Sequence, residues 1–165
     1  MQLHPLASAL IIAALSAPIL PGCDKLSTTT PEELIERAKD SQSKGDLKSS
    51  VIDLKNAIQI DPNNPQARWM LGEIYITSGM GAEAEKELTR AKELGVSPQS
   101  LMVPLARSLL LQREYRRLAD EIVVTPETTT ANRAKLLQMQ GEAQLGLGNF
   151  EAGCSLFDNS VRTDP

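Results

Sequence analysis

The chain repeats itself, and the period fixes much of what it can fold into. Gly45-Asp46-Leu47 is echoed one period later by Gly79, and after two further periods by Gly148-Asn149-Phe150. Asp61-Pro62 returns three periods on as Asp164-Pro165, so Asn56–Pro62 and Asn159–Pro165 are one element used twice. Units then start near Pro31, Pro65, Gln99 and Ala134. A repeat of this length is one supersecondary unit that cannot bury its apolar face alone. Stacked neighbours bury it together, building an elongated array.

Within the units the apolar residues fall at helical spacing. Leu47, Val51, Leu54 and Ile58 form one stripe, Leu71 and Ile74 part of another, and Leu101, Leu105 and Leu109 a third. Small residues (Gly72, Ala84, Ala91, Ala106 and Gly141) let paired helices approach closely. Gly45, Gly79 and Gly148 relieve tight turns between helices. Thr30-Pro31-Glu32-Glu33 reads as an N-cap, a first-turn proline and acids favoured by the helix dipole. Pro104 sits early in a helix and either is tolerated there or kinks it. Pro126 stops the third unit's second helix early, leaving a loop and a new cap over Thr125–Thr130.

These residues resemble the tetratricopeptide repeat (TPR), a helix–turn–helix unit with this same period. The second unit carries the likeness best, with Leu71-Gly72, Tyr75, Gly79, Ala84 and Ala91. Trp69 lies one place past the usual aromatic position. The first unit has Arg37-Ala38 for Leu-Gly, the fourth Gln140-Gly141, and the third is most divergent, with Arg113-Glu114-Tyr115 at its turn. The resemblance implies an all-α TPR solenoid of about four repeats, with units near 31–64, 65–98, 99–133 and 134–165. No polar capping helix follows the fourth unit, so a longer array is expected.

Residues 1–22 carry no Lys, Arg, Asp or Glu, and Pro5–Leu20 is apolar throughout. That run is short of the ~20 residues of a membrane span and fits a secretory signal. Leu20-Pro21-Gly22-Cys23 resembles the lipobox of bacterial lipoproteins, which implies a diacylglycerol on Cys23 and a tether over 23–30. Pro21 and the lack of an early Lys or Arg depart from that pattern. A signal without lipid and a buried apolar helix are the competing readings. Two or more acyl chains would hold the protein on a membrane durably.

The residues after the signal are poor in catalytic chemistry. His4 is the only histidine, and it lies in the signal, which removes the commonest general base and metal ligand. Cys23 and Cys154 are the only thiols, so no zinc cluster is available. Cys154 reads as a small buried hydrophobe, with a redox or intermolecular role as the alternative. The glycines at 141, 146, 148 and 153 fit turns and packing rather than a phosphate cradle, because Glu151 breaks the GxGxxG spacing. Seventeen basic residues against 21 acidic, and 3% aromatics, argue against nucleic acid. The Arg113, Arg116, Arg117 cluster reads as a solvated face ahead of an anion site. No enzyme activity, metal or cofactor is expected.

Repeat stacks present a surface built largely from the first helix of each pair. The family likeness places Lys39, Trp69, Glu73, Ile76, Arg107, Leu110 and Glu142 in that groove, suited to a peptide or protein segment; Trp69 packing between helices is the alternative. The carboxylate clamp of chaperone-binding TPR proteins does not carry over, because the corresponding places hold Ile35, Lys39, Met70, Ser100 and Pro104. A narrower likeness joins the lipobox cysteine to Pro-Glu-Glu-Leu-Ile-Glu-Arg-Ala-Lys-Asp, Leu-Gly-Val-Ser-Pro, Val-Pro-Leu-Ala-Arg-Ser-Leu-Leu and Gly-Glu-Ala-Gln-Leu-Gly-Leu-Gly. Together these resemble the N-terminal part of the PrsT family, TPR lipoproteins of the PEP-CTERM/exosortase system. That implies a lipid-anchored scaffold facing the periplasm of a Gram-negative envelope, with an envelope protein as partner and a link to exopolysaccharide production. A generic envelope lipoprotein for outer-membrane or pilus assembly is the alternative.

Overall fold

The computed structural model describes residues 29–164. The apolar leader, Cys23, most of the tether and Pro165 lie outside the described residues. Among those described, the chain forms eight helices and no strand: α1 (Pro31–Ser43), α2 (Leu47–Ile60), α3 (Pro65–Thr77), α4 (Gly81–Glu93), α5 (Pro98–Leu111), α6 (Tyr115–Glu121), α7 (Thr130–Gly146) and α8 (Phe150–Thr163). Consecutive helices pack as hairpins, and each hairpin packs on the next.

Local chemistry explains where helices begin. Thr30 closes a capping box with Glu33: Glu33 N donates to Thr30 Oγ1 at 3.2 Å, and Thr30 N to Glu33 Oε2 at 3.2 Å. Asp46, Asn64 and Thr129 cap α2, α3 and α7 through their side-chain oxygens. Pro31, Pro65 and Pro98 each open a helix, where proline's missing N–H costs nothing.

The four turns inside the hairpins are built alike. Asp46 N donates to Ser41 O at 2.9 Å, Met80 N to Tyr75 O at 2.8 Å, Glu114 N to Leu109 O at 2.9 Å and Asn149 N to Gln144 O at 2.8 Å. Such a closing bond needs a left-handed residue just before the donor. Gly45, Gly79 and Gly148 supply it at φ 77°, 74° and 83°, and Arg113 takes the same position at φ 59°. The divergent third turn thus keeps the geometry with a residue that is strained in it.

Small residues set the spacing of the paired helices. Ala38, Gly72, Ala106 and Gly141 share one register position, and all four are buried. A Cβ on Gly72 would come 2.7 Å from Leu88 Cγ, and one on Gly141 would come 3.2 Å from Gly153 O. Around these contacts lies one apolar cluster built on Leu34, Leu54, Leu71, Ile74, Leu88 and Leu101. A second, built on Leu109, Leu118, Ile122 and Leu136, continues it.

The third unit departs from its neighbours. Its second helix, α6, spans 7 residues and ends at Glu121, well before Pro126. Side chains replace the missing turns. Gln140 Nε2 donates to Ile122 O at 2.7 Å, Arg133 Nη2 to Thr125 O at 2.9 Å, and Thr125 N to Thr128 Oγ1 at 3.1 Å. Pro104 lies inside α5, which runs through it to Leu111. Cys154 corrects its expectation as a buried hydrophobe: it is exposed on α8. It shares a register position with Glu85, which in α4 faces the following hairpin and pairs with Arg117; after α8 no such hairpin is described.

Candidate functional site

The first helices α3, α5 and α7 touch in succession and form one wall of the array. Three adjoining depressions run along it. One is lined by Ile76, Thr77, Arg107, Leu110 and Leu111. The next adds Glu73, Ser100, Val103, Pro104 and Asn132 around the same arginine. The third joins Val103, Arg107 and Leu110 to Lys135, Gln138, Met139 and Glu142. Arg107 borders all three, so they form a continuous groove rather than separate pockets.

Five of the seven expected groove residues come together here: Glu73, Ile76, Arg107, Leu110 and Glu142. Lys39 sits on α1, outside this lining, and its Nζ pairs with Glu36 at 2.6 Å. Trp69 is half-buried and packs against the first apolar cluster. Its Nε1 is buried without a hydrogen-bond partner, so it acts as filler between helices rather than as an open anchor. The Trp69 register position itself faces the groove, since the equivalents Val103 and Gln138 line it on α5 and α7; on α3 the indole lies against the apolar cluster instead.

The groove charges follow a rule. Lys39, Glu73, Arg107 and Glu142 occupy one register position, one in each unit, and their signs alternate. Among the described residues, Glu73, Arg107 and Lys135 form no ion pair with a side chain. The opposite, second-helix side differs: Arg68, Arg90 and Arg117 are paired there with Glu87, Glu93 and Glu85. Glu73 is open to water yet ringed by protein. Burial pushes its carboxyl up, and the nearby Trp69 indole N–H offsets part of that without closing a regular hydrogen bond. A cation placed in the groove would relieve this carboxylate. Val103, Gln138, Met139 and Lys135 were not anticipated; Val103 and Gln138 share a register position with Trp69, and that spacing is the signal that finds them.

The Arg113–Arg117 cluster divides. Arg117 Nη2 reaches Glu85 Oε1 at 2.7 Å across the join between hairpins, and its Nε reaches Glu121 at 2.8 Å. Arg117 holds the Glu85 carboxyl below its ordinary range, with Gln112 Nε2 adding a bond at 2.7 Å. A lowered carboxyl contributes stability above its unfolded value and loses it as pH falls through the folded one. Glu85→Gln is therefore expected to cost up to about 1 kcal/mol at pH 7, discounted for the exposed arginine. That deficit should close below the ordinary glutamate value of about 4.3. Thermal melts of both proteins at pH 7 and near pH 3 check this, and an equal deficit at both would contradict it.

No group of residues suited to holding a metal ion occurs among the described residues. None of their helices is long and apolar enough to cross a membrane.

Helical hairpins at a constant period, closed by the same turn bond and stacked through small residues, define a tetratricopeptide-repeat solenoid. The family model of the tetratricopeptide repeat matches residues 43–99, the first turn through the second hairpin. Three solved structures share the fold at low identity. The crystal structure of MamA is 18% identical, covering 82% of this chain and 79% of that one, with a TM-score of 0.68. Pseudomonas aeruginosa pilF is 18% identical over 81% of this chain and 61% of its own, with a TM-score of 0.62. YrrB, a TPR protein with an unusual peptide-binding site, is 16% identical over 81% of this chain and 86% of its own, with a TM-score of 0.54. No curated protein sequence gives a significant match.

Proposed function

We propose that the protein is a membrane-anchored TPR scaffold that holds a segment of another envelope protein in the α3–α5–α7 groove. The observation that carries this reading is the alternating ladder of Glu73, Arg107 and Glu142 along an apolar floor of Ile76, Leu110 and Met139. Charges left unpaired beside apolar surface suit a peptide whose own charges alternate in the opposite sense, since complementary charge sets register and excludes wrong partners. YrrB's peptide-binding site supports the class of ligand. The lipobox-like Cys23 supports an anchor facing the periplasm, and the PrsT-like segments support a role in PEP-CTERM protein sorting and exopolysaccharide production.

Two variants test the two halves separately. Cys23→Ser is expected to move the protein from the membrane to the soluble periplasmic fraction with partner capture intact; unchanged membrane retention refutes the anchor. Arg107→Glu turns the ladder into a run of one sign while leaving an exposed site folded. It is expected to lose the saturable partner that crosslinks to the wild type in cells. Partners belonging to polysaccharide export and PEP-CTERM sorting support the narrow role, and outer-membrane or pilus assembly components support the alternative. Undiminished crosslinking by Arg107→Glu removes the groove from the mechanism.

A further inference from the structure

The second-helix side of the array changes character between its first two joins. Beside α4 the depression is lined by Glu85, Lys86 and Gln112, and Glu85 spends its charge on Arg117. Beside α2 the register-equivalent places hold Val51, Ile52 and Ser78, and Met80 stands where the next join has Glu114. Ile52 is 59% exposed and Met80 39%. The fold does not need apolar residues here, since the next join does without them. Nor does this face depend on the ends of the array. α2 packs on α1 and α3, and α4 packs on α3 and α5. By that rule a hairpin before α1 packs on α1 and one after α8 packs on α8, and both leave the outer side of α2 open.

Two lysines frame the apolar set. Lys48, Ile52 and Lys55 follow at steps of four and three, within about 60° on one side of α2. Among the described residues neither lysine forms an ion pair, and no carboxylate lines the depression. Asp46 feels the charge of Lys48, but its carboxylate is engaged with Ser49 N and Oγ at 3.1 and 2.6 Å. Ser78 Oγ is likewise engaged with Ile74 O at 2.9 Å. Lysine stems lie along apolar surface while their heads stay in water, and an ammonium is a point charge without the fork of an arginine. Such a set suits a fluid headgroup layer better than the fixed hydrogen-bond pattern of a peptide backbone.

We propose that this side of α2 lies on a membrane surface rich in anionic phospholipid, with Ile52 and Met80 entering the headgroup layer and Lys48 and Lys55 against its phosphates. Two further observations select that occupant. The first is the reach of the tether, and it rests on the lipid proposed for Cys23. Residues 23–30 span at most about 25 Å. α1 and α2 form a hairpin, so the start of α1 lies beside the end of α2. Lys55 and Ile52 lie roughly 8 and 12 Å from that end along the helix axis. An anchored chain thus keeps this side of α2 within reach of the surface. The second is charge: another copy seated here about a two-fold axis would set Lys48 and Lys55 against their own counterparts. Contact through α2 leaves the α3–α5–α7 wall turned away from the membrane and open to a partner.

The test is co-sedimentation of the purified full chain with millimolar lipid, as vesicles of phosphatidylcholine with and without phosphatidylglycerol. Cys23→Ser is present throughout, so acylation plays no part and a failure of the anchor leaves the result unmoved. Residues 1–28 are common to all variants, so differences among them read the α2 face alone. The chain is expected to partition more tightly onto the phosphatidylglycerol vesicles, with a preference that added salt removes. Lys48→Gln with Lys55→Gln should weaken that binding roughly 30-fold, about fivefold for each lysine, and leave phosphatidylcholine binding unchanged. Ile52→Gln should weaken binding to both vesicle types, and Arg107→Gln to neither. These sites are exposed, so circular dichroism should not change. Equal binding to the two vesicle types overturns the proposal, as does a double lysine variant that binds like its parent. If that variant keeps its vesicle binding but loses a protein crosslink in cells, the proposal falls and the face belongs to an acidic protein segment.

Discussion

Replacing Leu88 by Ala is expected to lower the free energy of unfolding by about 3–5 kcal/mol. Leu88 is fully buried and fills the gap left by the missing side chain of Gly72. Truncation leaves a hole at the contact that fixes the spacing of α3 and α4. The same contact makes the effect of Gly72→Ala depend on its neighbour. In the wild type the new methyl must displace Leu88, at about 1–3 kcal/mol. Against this stands about 1 kcal/mol of helix propensity gained over glycine. The net effect is zero or destabilising. With Leu88 truncated the clash is gone, the propensity gain remains, and the methyl fills part of the hole. Gly72→Ala should therefore stabilise the Leu88→Ala protein. Urea denaturation of the four proteins reads the cycle, and additive effects would show that the two residues do not share a space.

Such contacts are also why so much of the fold can be read from the chain. Period, turn glycines and small helix residues all act through the same unit, so one repeated pattern specifies hairpin, turn and stacking together. The Thr30–Glu33 capping box is equally local and equally readable. The exceptions share a cause: each depends on a neighbour that the period does not encode. Arg113 takes a glycine's conformation because the Leu109–Glu114 turn bond requires it, although its identity argues otherwise. The early end of α6 is held by Gln140 and Arg133, side chains from the next hairpin that accept no pattern-based reading. Trp69 packs against the apolar cluster although its register equivalents Val103 and Gln138 line the groove, a difference that local packing sets and the period does not encode. In the groove, the residue types at 73, 107 and 142 are legible through the family likeness. Their alternation in sign needs the structure, which puts the three helices side by side.

A second periodic feature escapes the sequence because it mixes buried and charged character. Asp53, Glu87 and Glu121 recur once per unit on successive second helices, and each carries an arginine: Arg37 at 2.9 Å, Arg68 at 2.6 Å and Arg117 at 2.8 Å. The arginines come from different places in their units, so no sequence spacing links the pairs. The acid position is the constant, and the cation is recruited from whatever the local packing offers. This arrangement predicts where a charge deletion will hurt most. The Arg68–Glu87 pair is the most enclosed, with side chains 17% and 11% accessible. Arg68 also donates through Nε and Nη2 to Pro62 O at 3.3 and 3.0 Å, tying the α2–α3 connection to α4.

Arg68→Ala is accordingly expected to cost roughly 3 kcal/mol, because Glu87 would keep its charge in a site that no longer neutralises it. Arg37→Ala should cost less, since Arg37 is 63% accessible and water already shares in solvating its partner. Removing both members of the enclosed pair separates packing from charge. Arg68→Leu with Glu87→Leu should recover the share of the loss that comes from the stranded carboxylate, as apolar residues of similar volume replace two desolvated ions. What it does not recover is the tie from Arg68 to Pro62 O, a charge-assisted contact. Chemical denaturation of the two single variants and the double variant reads these terms. If the double variant is as unstable as Arg68→Ala, the arginine acts through the loop it clamps and the stranded carboxylate is not the cause.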